Sequence, residues 1–250
     1  MKTSNKLILT AVLLLLFALT AYNYLLKAEY LSGRYKDPYR SYITLKFKDF
    51  DTVDVNSTTA VNVKFIQGPF SVRVDADALD FAKIKQRGRC LEINAAFKRN
   101  YIQNPNPYIV VVSCPKLTEV NTNAIFIAGN KQIIDTIFRE DWRMRQNLIE
   151  GFKEDSLSIR QYYGSSIILS GNHISILNMV SGLNPGSFSK TEILNSNLFQ
   201  QATVDVLNRS KFLLDGKAIK NLKYYLADSA KMTLTGSSQN LINNSKPQQK

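Results

Sequence analysis

One histidine, two cysteines and one tryptophan stand in 250 residues, and each scarcity closes off a class of chemistry. A Ser-His-Asp or Cys-His set would have to use His173. That residue follows Gly171-Asn172 at a turn, has no G-x-S-x-G elbow near it, and reads as a solvated turn histidine. A lone His without any C-x-x-C excludes a Cys/His zinc site. Cys90 in GRCLEI and Cys114 in VVVSCPK lie in strand-like runs, where a thiol acts as a small buried hydrophobe. A disulfide between them stays open if their strands stack in an oxidising compartment. There is no phosphate loop, dinucleotide fingerprint or EF-hand, and no helix-turn-helix, zinc-finger or RNP-type pattern. Catalytic residues, metals and cofactors are therefore not assigned, and nucleic acid is not expected as a partner.

Acidic residues are also short, 20 against 32 Lys and Arg, a net charge of +12. Such a balance suits an anionic neighbour, such as a membrane surface or an acidic glycan. A scattered basic surface that only keeps the chain soluble accounts for it as well. Long charged runs are missing, but one long apolar run is present. Lys2 and Lys6 precede LILTAVLLLLFALTAYNYLL, residues 7–26, a stretch without charge and long enough to cross a bilayer. Tyr22 and Tyr24 sit where aromatic rings favour the interface, and Lys27 closes the segment. The run exceeds a signal-peptide core, and its best cleavage candidate, near Thr20-Ala21, is poor. The expectation is an inner-membrane anchor with the C-terminal part exported to the periplasm. Secretion after cleavage is the alternative. Residues 1–6 would be a short cytoplasmic N-terminus and 27–41, with Gly33 and Pro38, a linker.

From Tyr42 the text turns to short alternating runs: YITLKF, TVDVN, AVNVKFIQG and FSVRVDAD, then RCLEINAAF and PYIVVVSCP. Alternation of this kind marks half-buried strands. ADALDFAKIKQRG is less strand-like and reads as one helical turn before the strand RCLEINAAF. Residues 130–154 break the rhythm as an insert, with Ile134, Phe138, Trp142, Arg145, Ile149 and Phe152 at helical spacing; a short helix and an extended hairpin both fit. After it a phrase recurs: SSIILSGN, KTEILNSN, KFLLDGK and KMTLTGS, aligned on Gly171, Asn195, Gly216 and Gly236 at intervals of 24, 21 and 20 residues. The expected inward positions are Ile167/Leu169, Thr191/Ile193, Phe212/Leu214 and Met232/Leu234. A second strand per period (HISIL, ATVDVL, NLKYYL) lies between them. Such a period is the mark of a solenoid whose units bury their apolar faces only by stacking. The expected fold is all-β, a parallel β-helix or solenoid over residues 42–240 after one transmembrane helix, with 241–250 a polar tail.

The stretches FKDFDTVDVNSTTAVNVKFIQGPFSVRVDAD, RCLEINAAF and PYIVVVSCPKLTEVNTNAIFIAG carry a resemblance. The chain resembles the auto-transporter adhesin head GIN domain family of exported Bacteroidetes-type proteins, over roughly residues 47–240 without the insert. The matching features are a strand pair around Gln67-Gly68, a strand with Arg89, Leu91 and Ile93, and a step with Val112, Pro115 and Leu117. Ser/Gly-rich rungs follow. It departs where such domains show Ser-Gly-Ser turns, with TNAIFIAG, YYGSS and NSN instead. The resemblance implies a parallel β-helix-like fold.

Function is expected to be non-catalytic binding, adhesion or scaffolding at the cell envelope, with the membrane met through residues 7–26 and a glycan or other envelope component as ligand. Trp142 and the pairs Tyr162/Tyr163 and Tyr224/Tyr225 are the candidate contacts, because rings beside basic residues stack on sugars. The alternative is a polysaccharide-degrading enzyme on the same scaffold. It would need clustered carboxylates, yet the positions aligned with Asp215 are Ser170, Leu194 and Thr235, and Asp205 has no aligned acidic partner.

Overall fold

The computed structural model describes residues 2–33, 36–99, 108–136 and 146–244. The chain divides into two compact units, Met1–Tyr42 and Ile43–Lys250.

The first unit is built on helix α1 (Thr3–Ser32), 30 residues with none buried. It is long and apolar enough to cross a membrane. Its leucines and alanines are strong helix formers, and Lys27, Ala28 and Glu29 continue the helix past the apolar run. The first part of the expected linker is thus helical. Gly33 ends it in the left-handed conformation, φ +68°, and donates its backbone N–H to the Tyr30 carbonyl.

The second unit is mostly β. Its early strands are β1 (Tyr42–Leu45), β2 (Thr52–Val55), β3 (Val63–Gln67), β4 (Ser71–Asp75), β5 (Ala82–Arg87) and β6 (Cys90–Phe97). Next come β7 (Val110–Cys114), β8 (Glu119–Thr122), β9 (Ile125–Ala128), β10 (Lys131–Ile134) and β11 (Asn147–Glu150). The later strands are β12 (Lys153–Gln161), β13 (Ser166–Ser170), β14 (His173–Ser181), β15 (Lys190–Ile193) and β16 (Leu198–Val206). β17 (Lys211–Asp215), β18 (Ile219–Leu226) and β19 (Lys231–Thr235) complete them. They form two open mixed sheets, in the orders β1-β4-β7-β3-β11-β13-β15-β17-β19 and β10-β9-β6-β2-β8-β12-β14-β16-β18, with β5 on β6.

From β11 onward the chain alternates between the sheets, and from β13 onward each strand pairs in parallel with the strand two before it. Inward side chains from both sheets share one apolar core that uses no residue before Leu45, so the unit Ile43–Lys250 carries its own core. Val53, Phe65, Ile93, Val112, Ile159, Leu169 and Phe212 are all at most 1% exposed. Burying side chains of this size is worth about 1.5–3 kcal/mol each.

The recurring phrase is a register. Ile167, Thr191, Phe212 and Met232 are partners across β13, β15, β17 and β19, and so are Leu169, Ile193, Leu214 and Leu234. The first three pairs are fully buried, while Met232 and Leu234 on the edge strand are half-buried. Gly216 follows its strand at φ +63°, a conformation that glycine reaches without strain.

Polar side chains seal the bends between strands. Buried Asn172 donates to the carbonyl of Ile149 and to Asn197 Oδ1, and Asn197 donates to the carbonyls of Leu169 and Leu194. On the opposite side buried Gln161 receives Ser181 and Thr191 and donates to Ser165 and the Lys190 carbonyl. Satisfied groups of this kind fix register, since an orphaned one costs about 1–3 kcal/mol.

Two sequence expectations change, at AKIKQR and at the C-terminal tail, and the alternatives left open at the insert flanks and the cysteines are narrowed. AKIKQR is strand β5, antiparallel to β6, and only Ala76–Ala78 makes a 3-10 turn. The flanks of the insert, Lys131–Ile134 and Asn147–Glu150, are strands; Phe138, Trp142 and Arg145 lie outside the described residues. Gly236–Asn244 forms a 3-10 helix whose Leu241 packs against the core, because the apolar side of the last strands needs a cover. Cys90 and Cys114 are free thiols, one in each sheet.

Candidate anion-binding groove

Strand β5 alternates by charge. Lys83, Lys85 and Arg87 are exposed on one face, while Ala82, Ile84 and Gln86 turn to the other. Period-two alternation sends successive side chains to opposite faces, so three cations share a row about 7 Å apart. Antiparallel pairing sets Lys83 opposite Asn94, Lys85 opposite Glu92 and Arg87 opposite Cys90.

These residues line a concave groove of about 480 Å³ with Asn56 and Asn123 on one side and Ile125, Ile127 and Gln132 on another. Ser57 builds its floor. Fully buried, it donates to the Ile125 carbonyl at 2.7 Å and accepts the Ala95 backbone N–H at 2.8 Å, tying three chain segments together. Asn56 Nδ2 donates to Asn94 Oδ1 at 3.1 Å.

Among the described residues the groove carries three cations against one carboxylate, Glu92, which Arg87 meets at 3.0 Å. Acids on neighbouring strands are engaged elsewhere. Asn121 Nδ2 donates to Asp54 and Glu119, and Arg160 lies 3.4 Å from Glu119. The described lining of the groove therefore carries a net positive charge. Beside it the β9–β10 hairpin presents aliphatic surface: Ile134 pairs with Ile125 on the same face as Ile127, and Ile127 and Ile134 are 47% and 46% exposed.

Asp51 and both cysteines titrate away from their ordinary ranges. Arg89 forks onto Asp51, and this hydrogen bond holds the Asp51 carboxyl below its ordinary range. Burial, with Asp54 beside it, pushes the Cys90 thiol up to about 12; burial does the same for Cys114, to about 12. Neither thiol is a nucleophile at neutral pH.

The residues singled out from sequence are dispersed. Tyr225 faces outward on β18 and Tyr224 packs against the core. Tyr162 lies just past β12 on the outer side, three strands from Tyr225 in the sheet order, and Tyr163 follows it at the bend into β13. Trp142 lies outside the described residues. His173 opens β14, exposed. Asp205 is on the second sheet, Asp215 on the first, and Asp228 in the turn before β19, so the three do not converge. Among the described residues no group of three His, Cys, Asp or Glu is placed to hold a metal. The groove itself was missed because AKIKQR read as part of a helical turn. Its signal was the strict alternation of Lys, Lys and Arg with Ala, Ile and Gln.

No family model matches this chain, and no curated protein matches it. Among solved structures, a "putative adhesin" from Bacteroides fragilis NCTC 9343 is similar at TM-score 0.45 and 11% identity, over 78% of this chain and 93% of that one. A "putative adhesin" from Parabacteroides merdae ATCC 43184 is similar at TM-score 0.34 and 12% identity, over 78% and 92%. A "putative lipid binding protein" from Parabacteroides distasonis ATCC 8503 is similar at TM-score 0.37 and 13% identity, over 78% and 94%. Likenesses at this level carry no argument about what the present chain does.

Proposed function

We propose that the protein is a non-catalytic binding module of the cell envelope, held at a membrane by α1, whose β5–β6–β9 groove engages anionic lipid headgroups. The carrying observation is the row Lys83, Lys85 and Arg87 beside exposed Ile127 and Ile134. Cations next to aliphatic side chains suit a headgroup layer, where charge meets phosphate and the apolar groups enter the acyl boundary. In this reading residues 7–26 cross the inner membrane and the β unit is exported to the periplasm as an adhesion or scaffolding element.

The β unit is further read as a parallel β-helix of the head GIN kind. Alternation of the chain between sheets and the in-register repeat at 20 to 24 residues support this. A polysaccharide-degrading enzyme is disfavoured by the separation of Asp205, Asp215 and Asp228. Tyr225, outward on the second sheet, leaves room for a glycan contact there.

The test is flotation of residues 43–250 with vesicles of phosphatidylcholine alone or mixed with phosphatidylglycerol. Binding is expected only with the acidic mixture. At about 1 kcal/mol per basic residue near the surface, K83Q/K85Q/R87Q should lower it by roughly two orders of magnitude. Failure of the unmodified domain to float with acidic vesicles, or equal flotation of the triple variant, would overturn the lipid reading.

A further inference from the structure

The first sheet ends on β19, which pairs with β17 on one side only. Its residues, KMTLT, alternate: Lys231, Thr233 and Thr235 are exposed on the outer face, while Met232 and Leu234 pack half-buried against the core. On the β17 side the Lys231 N–H donates to the Ser210 carbonyl, and the Thr235 carbonyl accepts the Gly216 N–H. Backbone groups alternate sides along a strand, so those of Met232 and Leu234 point to the open edge. Proline, bulges and lysines usually blunt such an edge. β19 has no proline, and its single charge, Lys231, stands at its first position. β18, the last strand of the other sheet, is better guarded, with Lys220 and Lys223 exposed along it.

The edge of β19 is complementary to itself. An antiparallel copy centred on Thr233 sets Met232 opposite Leu234 and Lys231 opposite Thr235, in both directions, with Thr233 facing its own copy. Met232 and Leu234, whose backbone groups point outward, then form the hydrogen-bonded pairs, as an antiparallel ladder requires. Their half-buried side chains meet apolar partners, and a Thr–Thr pair across strands is favourable. The same sheet already accepts an antiparallel strand elsewhere, where β4 joins β7.

The charges agree with this register. Asp215 is the partner of Thr235 on β17 and accepts its hydroxyl at 2.8 Å. Among the described residues no ion pair engages Asp215 or Lys231. Within one chain they stand at opposite ends of the ladder, about 13 Å apart along the strand. In the antiparallel pairing the second copy's lysine lies beside Thr235, one strand from Asp215 and within reach of its flexible stem. We infer that β19 is an interface between two copies of this chain, joined edge to edge about a twofold axis into one continuous sheet. The contact is small, so dimerisation depends on protein concentration.

Oxidative crosslinking of the full chain in a neutral detergent, at high micromolar concentration, tests the register. Thr233→Cys places two thiols opposite each other on the axis, whereas Thr235→Cys leaves them about 13 Å apart along the strand, beyond disulfide reach. The first variant should form covalent dimers roughly tenfold faster or more than the second. Sedimentation velocity in density-matched detergent tests the edge without cysteine. The unmodified chain should dimerise, and Thr233→Lys and Thr233→Glu, each setting like charges face to face, should be monomeric alone and dimeric when mixed. Equal crosslinking of the two cysteine variants would reduce the effect to collision within micelles and overturn the inference. So would an unmodified chain that stays monomeric, or a dimer that Thr233→Lys leaves intact. None of these outcomes depends on lipid binding at the groove.

Discussion

Gly216 packs directly against Asn195: a Cβ built on the glycine would stand 2.1 Å from Asn195 Oδ1, the atom that accepts the Lys217 backbone N–H at 3.1 Å. The turn residue of one period is thus seated on the turn residue of the period before it. Two constraints meet at this glycine, a φ of +63° and the lack of space. Gly216→Ala should lower stability by about 1–3 kcal/mol, since strain of this kind is not relieved by solvent. Chemical denaturation of the variant measures it, and an unchanged midpoint would show that the turn yields freely.

Leu214 is 1% exposed and lies between Ile193 and Leu234 in register. Leu214→Ala should cost about 2–5 kcal/mol through lost burial and the cavity left behind. Leu214→Asp, with a buried charge, should leave little folded protein. Near-ultraviolet circular dichroism and thermal melts distinguish the two, and native-like melting of the aspartate variant would contradict the stacked register.

Gln161 receives two hydroxyls and donates to Ser165 and the Lys190 carbonyl from full burial. Gln161→Leu should orphan Ser181 and Thr191 and cost about 1–3 kcal/mol per unsatisfied group. Hydrogen exchange at the Ser181 and Thr191 amides should accelerate, and unaltered protection there would mean the network adds nothing to register.

Acid sensitivity should depend on Arg89. Because the Asp51 pKa is depressed in the folded state, its contribution is present above the ordinary aspartate range, about pH 4, and is lost as pH falls through the lower folded value. Arg89→Ala should therefore be less stable at neutral pH by a small amount and should converge with the unmodified protein in strong acid. Parallel melting curves across this window would rule out the coupling.

Both thiols should be slow. With pKa values pushed up to about 12, the thiolate fraction at pH 8 is on the order of one in ten thousand. Ellman's reagent should register almost no reaction until denaturant is added and two thiols per chain afterwards. Rapid labelling of one thiol in native buffer would place Cys90 in a more open site.

The apolar run of residues 7–26 and the register of the repeat were legible from the sequence, because both depend on local periodicity. Twenty uncharged residues must find a nonpolar surrounding wherever they lie, and a strand with apolar residues at alternate positions has only one face to bury. That logic fixed the pairs Ile167/Leu169 through Met232/Leu234. The groove was not legible, because it joins β5, β6 and β9 with Asn56 and Asn123, residues spread over more than seventy positions. Its cations gain their meaning only when antiparallel pairing sets β5 beside Glu92 and Asn94. Three of the four aligned phrases begin with lysine, but only parallel pairing sets Lys190, Lys211 and Lys231 side by side. Local pattern determined which side of each strand is buried; long-range pairing alone decided which exposed side chains stand together.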